Sequence, residues 1–357
     1  MIHLRTRRDP VLDAAKGFLI ILVVLGHLLA RTDPSAAVAT HALITGIYAF
    51  HMPAFVFLAG ITSKPSGIGR RCAQFLTLLA VFQVAYFLAK HLLGSDESFP
   101  WVTPAWLLWF LLSMTFWTLL TPVIVRFPRA SLALSVAVSL GAGMVDAVGY
   151  PFSLSRTLVF LPFFVAGFTH GRKVLARVAG LGLRGRAVVA GAALAVFAGL
   201  LTWSPDHNWF FGSKGFDVLE VSDLSGVAHR AVLTAGLLVL MPRKPTLLNR
   251  FGQRSLSIYL LHGFVVLLAA PYVLVMAKDN VWLAVVMLGF LTAGIAVLAS
   301  MQPVHETIGR IGAICMPLVE RLGGAAHASG TDSATAAVGS GDAASQRATV
   351  GAGSPHR

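Results

Sequence analysis

The sequence predicts an all-α, polytopic membrane protein of about ten transmembrane helices. Three observations predict it. Hydrophobic residues fill 56% of the 357 positions and charged residues only 12%, against about 25% charged in a soluble domain. Ten apolar segments recur, at about 11–31, 43–63, 73–93, 104–125, 130–149, 156–171, 187–203, 224–241, 255–277 and 281–302. The charges between them alternate in sign from loop to loop. The formal charge of +13 follows from that alternation, so it is not read as a nucleic-acid footprint.

The first segment holds Asp13, Lys16 and His27 in an otherwise apolar helix. Arg5, Arg7 and Arg8 precede it, as the cations of a signal peptide precede its apolar region. No Ala-x-Ala-like cleavage site follows Leu28, so the segment reads as a retained span. The second segment carries His51, with Pro53 interrupting the helix ladder beside it. Lys64, Arg70 and Arg71 lead into the third. The fourth opens on Trp106 and Trp109, which read as interfacial anchors. Arg126 and Arg129 lead into the fifth. The sixth, 156–171, is short for a full span and contains Pro162, so a tilted, kinked or partly re-entrant segment is expected.

Arg172, Lys173, Arg177, Arg184 and Arg186 separate the sixth segment from the seventh. The connection from Ser204 to Asp223 holds His207, Asn208, Trp209, Phe210, Phe211 and Lys214. It reads equally as a cover over an outer opening and as an interfacial aromatic belt. Asp223, His229 and Arg230 open the eighth segment and suggest an ion pair. Arg243, Lys244, Arg250 and Arg254 precede the ninth. The alternate loops carry Asp33, then Asp96 and Glu97, then Asp146, then Asp206, Asp217 and Glu220. Both termini are therefore expected in the cytoplasm, with His27 toward the outer side of its span.

Residues 1–303 read as one transmembrane domain. Residues 304–357 turn rich in Ala, Gly, Ser and Thr and read as a largely disordered cytoplasmic tail. Cys72 and Cys315 both fall on the expected cytoplasmic side, where no disulfide framework is expected. There is no internal repeat, P-loop, CxxC or HExxH, and no histidine pair has metal-ligand spacing.

Lys16 and His27 are eleven residues apart, close to three turns, so they share a face about 16 Å apart along the axis. Ionisable groups inside a span are costly and face protein or a water-filled cavity. Two on one face predict a polar path into the membrane. His27 suits a general base, because an imidazole titrates near neutrality and one ring nitrogen is held while the other takes a proton. Lys16 reads as a snorkelling cation, a partner of Asp13, or a contact for an anion arriving from the cytoplasm. Arg156 reads as a snorkelling arginine or as a cation at the outer mouth. His51 and His262 are possible cavity-lining residues, against the plainer reading of hydrogen-bonded helix histidines.

The stretch "DAAKGFLIILVVLGH", with Lys16 and His27 ten intervening residues apart, resembles the first-span signature of the integral-membrane acyltransferase-3 family. "FHMPAFVFLAG", "LWFLLSMTFW", "SRTLVFLPFFVAGF" and "SLSIYLLH" resemble its later blocks in the same order. The similarity covers about residues 9–303, and the branch it most resembles is the fucose-4-O-acetylase-like group. The resemblance implies an O-acetyltransferase of a bacterial inner membrane. Its donor would be cytoplasmic acetyl-CoA or another acyl-CoA, a co-substrate with no bound cofactor or metal. Its acceptor would be a hydroxyl of an envelope polysaccharide or glycolipid. The essential histidine maps to His27 and its cationic partner to Lys16. Arg70 and Arg71 are then the expected donor-binding pair, although they are adjacent where many relatives have Arg-x-x-Arg. Lys16 offers a point charge where relatives commonly have the planar fork of Arg. A secondary transporter with Lys16, His27, His51 and Arg156 along its path is the competing reading, and a flippase-like module a third.

Overall fold

The computed structural model describes residues 9–31, 38–145, 148–203, 210, 221–242, 244, 246–276 and 280–317. The described residues form helices and no strands. In chain order these are α1 (Pro10–Leu29), α2 (Val38–Thr62), α3 (Ile68–Leu92), α4 (Trp109–Arg126), α5 (Pro128–Gly141), α6 (Leu154–Gly180) and α7 (Leu183–Trp203). They continue as α8 (Val221–Leu240), α9 (Leu247–Gln253), α10 (Ser255–Leu268), α11 (Ala270–Met276), α12 (Val281–Ala299) and α13 (Gln302–Gly312).

Each of the ten apolar segments overlaps a helix, the ninth two of them, α10 and α11. Among the described residues, seven helices are long and apolar enough to cross a membrane: α1, α2, α3, α4, α6, α7 and α12. α9 and α10 meet at 83° and make an eighth if they form one broken span. α5 has 14 residues, and the apolar part of α8 is Gly226–Leu240. Both are shorter than the ~20 residues of an untilted crossing.

The sixth segment is longer than its hydropathy suggests. α6 runs 27 residues with Pro162 inside it. Proline costs a helix the hydrogen bond to the carbonyl four residues earlier. Neighbouring helices serve the carbonyls on either side of that gap. Trp117 Nε1 donates to Thr157 O (3.1 Å) and Ser139 Oγ donates to Val159 O (3.0 Å). The polar turn from Thr169 to Arg177 then continues the helix past the apolar run.

α1 begins where Asp9 caps it, accepting from Val11 N (2.9 Å) and Leu12 N (3.4 Å), with Pro10 in the first turn. Its position in the bundle is set by backbone contact. A Cβ on Gly17 would lie 1.9 Å from Leu248 O, and one on Gly252 would lie 1.9 Å from Asp13 O. Only glycine lets α1 and α9 approach this closely. Asn249 Nδ2 donates to Pro10 O (2.7 Å) and Gln253 Nε2 to Asp13 Oδ2 (2.9 Å) across the same contact. α2 and α6 pack alike, where a Cβ on Gly167 would lie 2.0 Å from Phe57 O and one on Gly60 2.3 Å from Phe164 O.

The bundle has two chemically distinct ends. At one, Lys16 meets Thr62, Asp13 meets Gln253, Arg186 donates to Val239 O and Arg254 donates to Ser300 O. At the other, α1, α2, α4, α6 and the loop before α4 converge around His27. α13 straddles the expected boundary at 303/304, and its Ile308 is buried in a cluster with Leu78 and Phe82 of α3. Residues 318–357, the rest of the tail expected over 304–357, lie outside the described residues.

Candidate active site

His27 sits in the last turn of α1, on the wall of a cavity of about 380 Å³. The cavity is lined by Arg31 from the end of α1, Tyr48, His51 and Met52 from α2, and Trp106 and Trp109 around the start of α4. Tyr150, Arg156 and Phe210 complete the wall. The structure thus brings together His27, His51 and Arg156 of the residues singled out in the sequence. Phe210 of the long aromatic connection is buried against the same cavity. His207, Asn208, Trp209, Phe211 and Lys214 lie outside the described residues.

Helical spacing explains the convergence on α2. Tyr48, His51, Met52 and Phe55 follow the i, i+3, i+4, i+7 stripe of one face. Tyr48 Oη lies 3.4 Å from His27 Nδ1, and the Tyr48 ring meets His51 edge-on at 4.8 Å. His51 Nδ1 donates to Ile47 O (2.7 Å), which leaves Nε2 with its lone pair. Tyr48 therefore stands between the two imidazoles.

Trp106 is presented by a loop under strain. Its φ of 30° puts a bulky residue in the sparsely populated positive region. Such a residue costs about 1–3 kcal/mol and persists only where neighbours over-determine it. Here Gln83 does so, donating to Pro100 O (2.9 Å) and Thr103 O (3.1 Å) and accepting from Ala105 N (2.7 Å). Tyr259 Oη also donates to Leu107 O (2.6 Å). The indole then touches His27 edge-on at 4.9 Å and lies under the Arg31 guanidinium at 5.3 Å. Arg156 is placed similarly. Its guanidinium lies over Trp109 at 5.4 Å and Tyr150 at 4.7 Å, and Nη2 donates to Tyr150 Oη (2.9 Å).

Two expected cavity residues stand elsewhere. His262 does not line the cavity, and its ring stacks behind His27 with centroids 5.4 Å apart. It is fully buried, Nδ1 donates to Tyr259 O (2.7 Å), and Nε2 has no partner. Asp13 is at the opposite end of α1, bonded to Gln253. Lys16 is at that end too, where Nζ donates to Thr62 Oγ1 (3.2 Å). Arg70 and Arg71 start α3 a few residues beyond Thr62, and Arg71 Nη2 donates to Lys64 O. Arg230 is buried with its guanidinium over Phe160 at 5.8 Å. The Asp223 side chain expected beside it lies outside the described residues.

The polar path expected between Lys16 and His27 is not continuous. Ile20 and Val23 occupy the same stripe between them. Inward of His27 they face Met52, Phe55, Phe110 and Tyr259 around a gap of about 20 Å³. That is room for about one water molecule and not for a substrate arm. The polar cavity therefore ends at His27, and an apolar constriction lies beneath it.

Sequence reasoning missed Tyr48, Arg31 and Tyr150, and it read Trp106 and Trp109 as membrane anchors. A signal existed for two of them. Tyr48 lies three residues before His51, and Arg31 lies four after His27. The arrangement offers an imidazole beside a cavity of mixed polar and aromatic lining, with a phenol at its second nitrogen. That is a geometry for removing a proton from a hydroxyl.

Comparison with known proteins agrees in kind. A family model described as an acyltransferase domain matches residues 9–301. The nodulation protein NolL of Mesorhizobium japonicum is 28% identical over 190 residues, which are 47% of this chain and 49% of NolL. The chain thus spans about half the length of this curated relative. No solved structure matches the chain at a significant level.

Proposed function

The chain belongs to the acyltransferase-3 family, and from that premise we propose that it is a membrane O-acyltransferase of a bacterial inner membrane. It takes an acyl group, acetyl in the first instance, from acyl-CoA to a hydroxyl of an envelope glycan or glycolipid. The observation that carries this reading is the position of His27, on the wall of a sugar-sized, aromatic-rich cavity and at the mouth of the constriction toward Lys16.

His27 Nε2 accepts the proton of the acceptor hydroxyl while Nδ1 donates to Tyr48 Oη. The hydroxyl oxygen attacks the thioester carbonyl, and the carbon–sulfur bond breaks. The proton passes from His27 to the departing thiolate. A thioester is already activated, so the step asks the protein for a base and for positioning. The CoA phosphates are assigned to the Lys16, Arg70 and Arg71 end, and the pantetheine arm to the stripe between Lys16 and His27. The arm needs room that the gap of about 20 Å³ lacks. Donor binding must therefore turn Met52, Phe55 or Phe110 aside.

The test is transfer of label from acetyl-CoA to lipid or polysaccharide in membranes holding this protein. Substrate flux without acylation would overturn the reading in favour of transport. Tyr48→Phe should lower turnover roughly 10-fold, the value of one hydrogen bond of about 1.4 kcal/mol, with both KM values unchanged. An unchanged turnover would remove Tyr48 from the mechanism. The sidedness is tested separately. A periplasm-active reporter near Asp96 should be active and one after residue 322 silent, and the reverse pattern would overturn the assignment of the donor to the Lys16 end.

A further inference from the structure

The mechanism leaves one histidine of the cavity wall without a task, His51. The residue is only 2% exposed, yet it lines the same cavity as His27. Its ring is pinned by its own helix. Nδ1 lies 2.7 Å from Ile47 O, and a carbonyl only accepts, so Nδ1 carries the proton and Nε2 is an acceptor. Nε2 sits across the ring from Nδ1 and is therefore turned away from the α2 backbone. His262 is locked in the same tautomer by Tyr259 O, and its Nε2 is sealed in protein without a partner. His51 Nε2 also makes no hydrogen bond among the described residues, but it is not sealed. Its lone pair is open to the cavity.

An open acceptor in a largely buried ring gains most from a ligand donor. A cationic donor is disfavoured, because Arg31 and Arg156 stand on the same wall. A hydroxyl is the donor that fits. His27 and His51 both meet the Tyr48 ring, at 6.2 Å and 4.8 Å between centroids. One phenol thus separates two imidazoles on the wall of a single sugar-sized cavity. They differ in one respect. The constriction toward Lys16 is lined by His27 and not by His51.

We propose that the acceptor presents two hydroxyls of one sugar ring, and that His51 Nε2 accepts a hydrogen bond from the hydroxyl that is not acylated. The thioester arrives through the constriction, so the hydroxyl at His27 is the one that reacts. The hydroxyl at His51 sets the register of the ring, and register decides which position meets His27. His51 is thereby a specificity-determining residue, and the acceptor is a polyol. This inference deepens the acyltransferase reading and rests on it.

The experiment measures transfer of label from acetyl-CoA to cyclohexanol and to the 1,2-, 1,3- and 1,4-cyclohexanediols, using membranes that hold the full-length protein. Two hydroxyls give a diol about a twofold statistical advantage, and at least one diol should exceed cyclohexanol by a further 5–10-fold or so in kcat/KM, the scale of one hydrogen bond. The best diol reports the spacing between the two imidazoles. His51→Leu should reduce the diol-to-cyclohexanol ratio to the statistical value. His51→Gln should keep most of it, since an amide oxygen accepts a hydrogen bond but is no base. The ratio is taken within each protein, so a general loss of fold or activity cancels. A statistical ratio in the wild type, or an unchanged ratio in His51→Leu, would overturn the proposal. So would loss of all transfer in His51→Gln while His27→Gln stays active, which would make His51 the base. If the envelope takes label and none of these alcohols does, the same variants are compared on the envelope product. His51→Leu should then slow its formation and His51→Gln restore it, and equal rates in all three proteins overturn the proposal. Label transfer without a second-hydroxyl preference sinks only this inference. No label in any acceptor sinks the acyltransferase reading and this inference with it.

Discussion

His27→Ala is expected to reduce acyl transfer by ~10²–10⁴-fold, the usual contribution of a positioned general base. Insertion and thermal stability should stay near wild type. The ring faces the cavity, and its main packing partners, Trp106 and His262, are fixed independently by the Gln83 and Tyr259 bonds. His27→Gln should be nearly as inactive, since an amide fills the space without accepting a proton at neutral pH. Labelled-acetyl turnover measured beside the melting temperature of each variant checks both points. Near-wild-type turnover in either would remove His27 from the role, and His51, whose Nε2 is also without a proton, would be the next residue to test.

Gly17→Ala is expected to be among the most damaging single-methyl changes in the chain. The added Cβ would sit 1.9 Å from the Leu248 carbonyl oxygen. Backbone cannot rotate away as a side chain does, so α1 or α9 must move. Overpacking of this kind costs typically 1–3 kcal/mol, more where no rotamer relieves it. Gly289→Ala is the matched control. It makes the same chemical change on α12, where nothing lies within 4 Å, and replacing an open helical glycine gains about 0.5–1 kcal/mol. Melting in detergent should fall for the first and hold or rise for the second. If both shift alike, the α1–α9 contact does not carry the stability assigned to it. Activity should follow the first change, because Gly17 adjoins Lys16 and sets the depth of the stripe that ends at His27.

The α-helical, membrane-embedded class was legible at once. Apolar length and charge alternation are requirements of the bilayer, and they act on each span separately, so no knowledge of neighbours is needed. Helix lengths were not legible. α6 extends through Thr169–Arg177 although hydropathy falls there, because helix continuation depends on backbone hydrogen bonds and not on lipid contact. The bend between α9 and α10 sits at Arg254 inside what hydropathy joins to a polar loop.

The site divides along the same line. The sequence by itself determined the ionisable residues that a membrane helix must justify, Lys16, His27, His51 and Arg156, because their cost is local. It also determined that Lys16 and His27 share a face, since helix geometry alone fixes that. Only the tertiary structure decided which of them meet. Tyr48 reaches His27 because Gly17 and Gly252 let α1 sit at one depth, and Gly60 and Gly167 hold α2 at another. His262 falls behind His27 instead of beside the cavity, because Tyr259 and Tyr86 anchor α10 to the loop before α4 and to α3. Arg31, Trp106 and Tyr150 become cavity walls through contacts between helices far apart in the chain. No periodicity within one segment encodes such contacts. They depend on how closely two backbones approach, and that distance is a property of the packed pair.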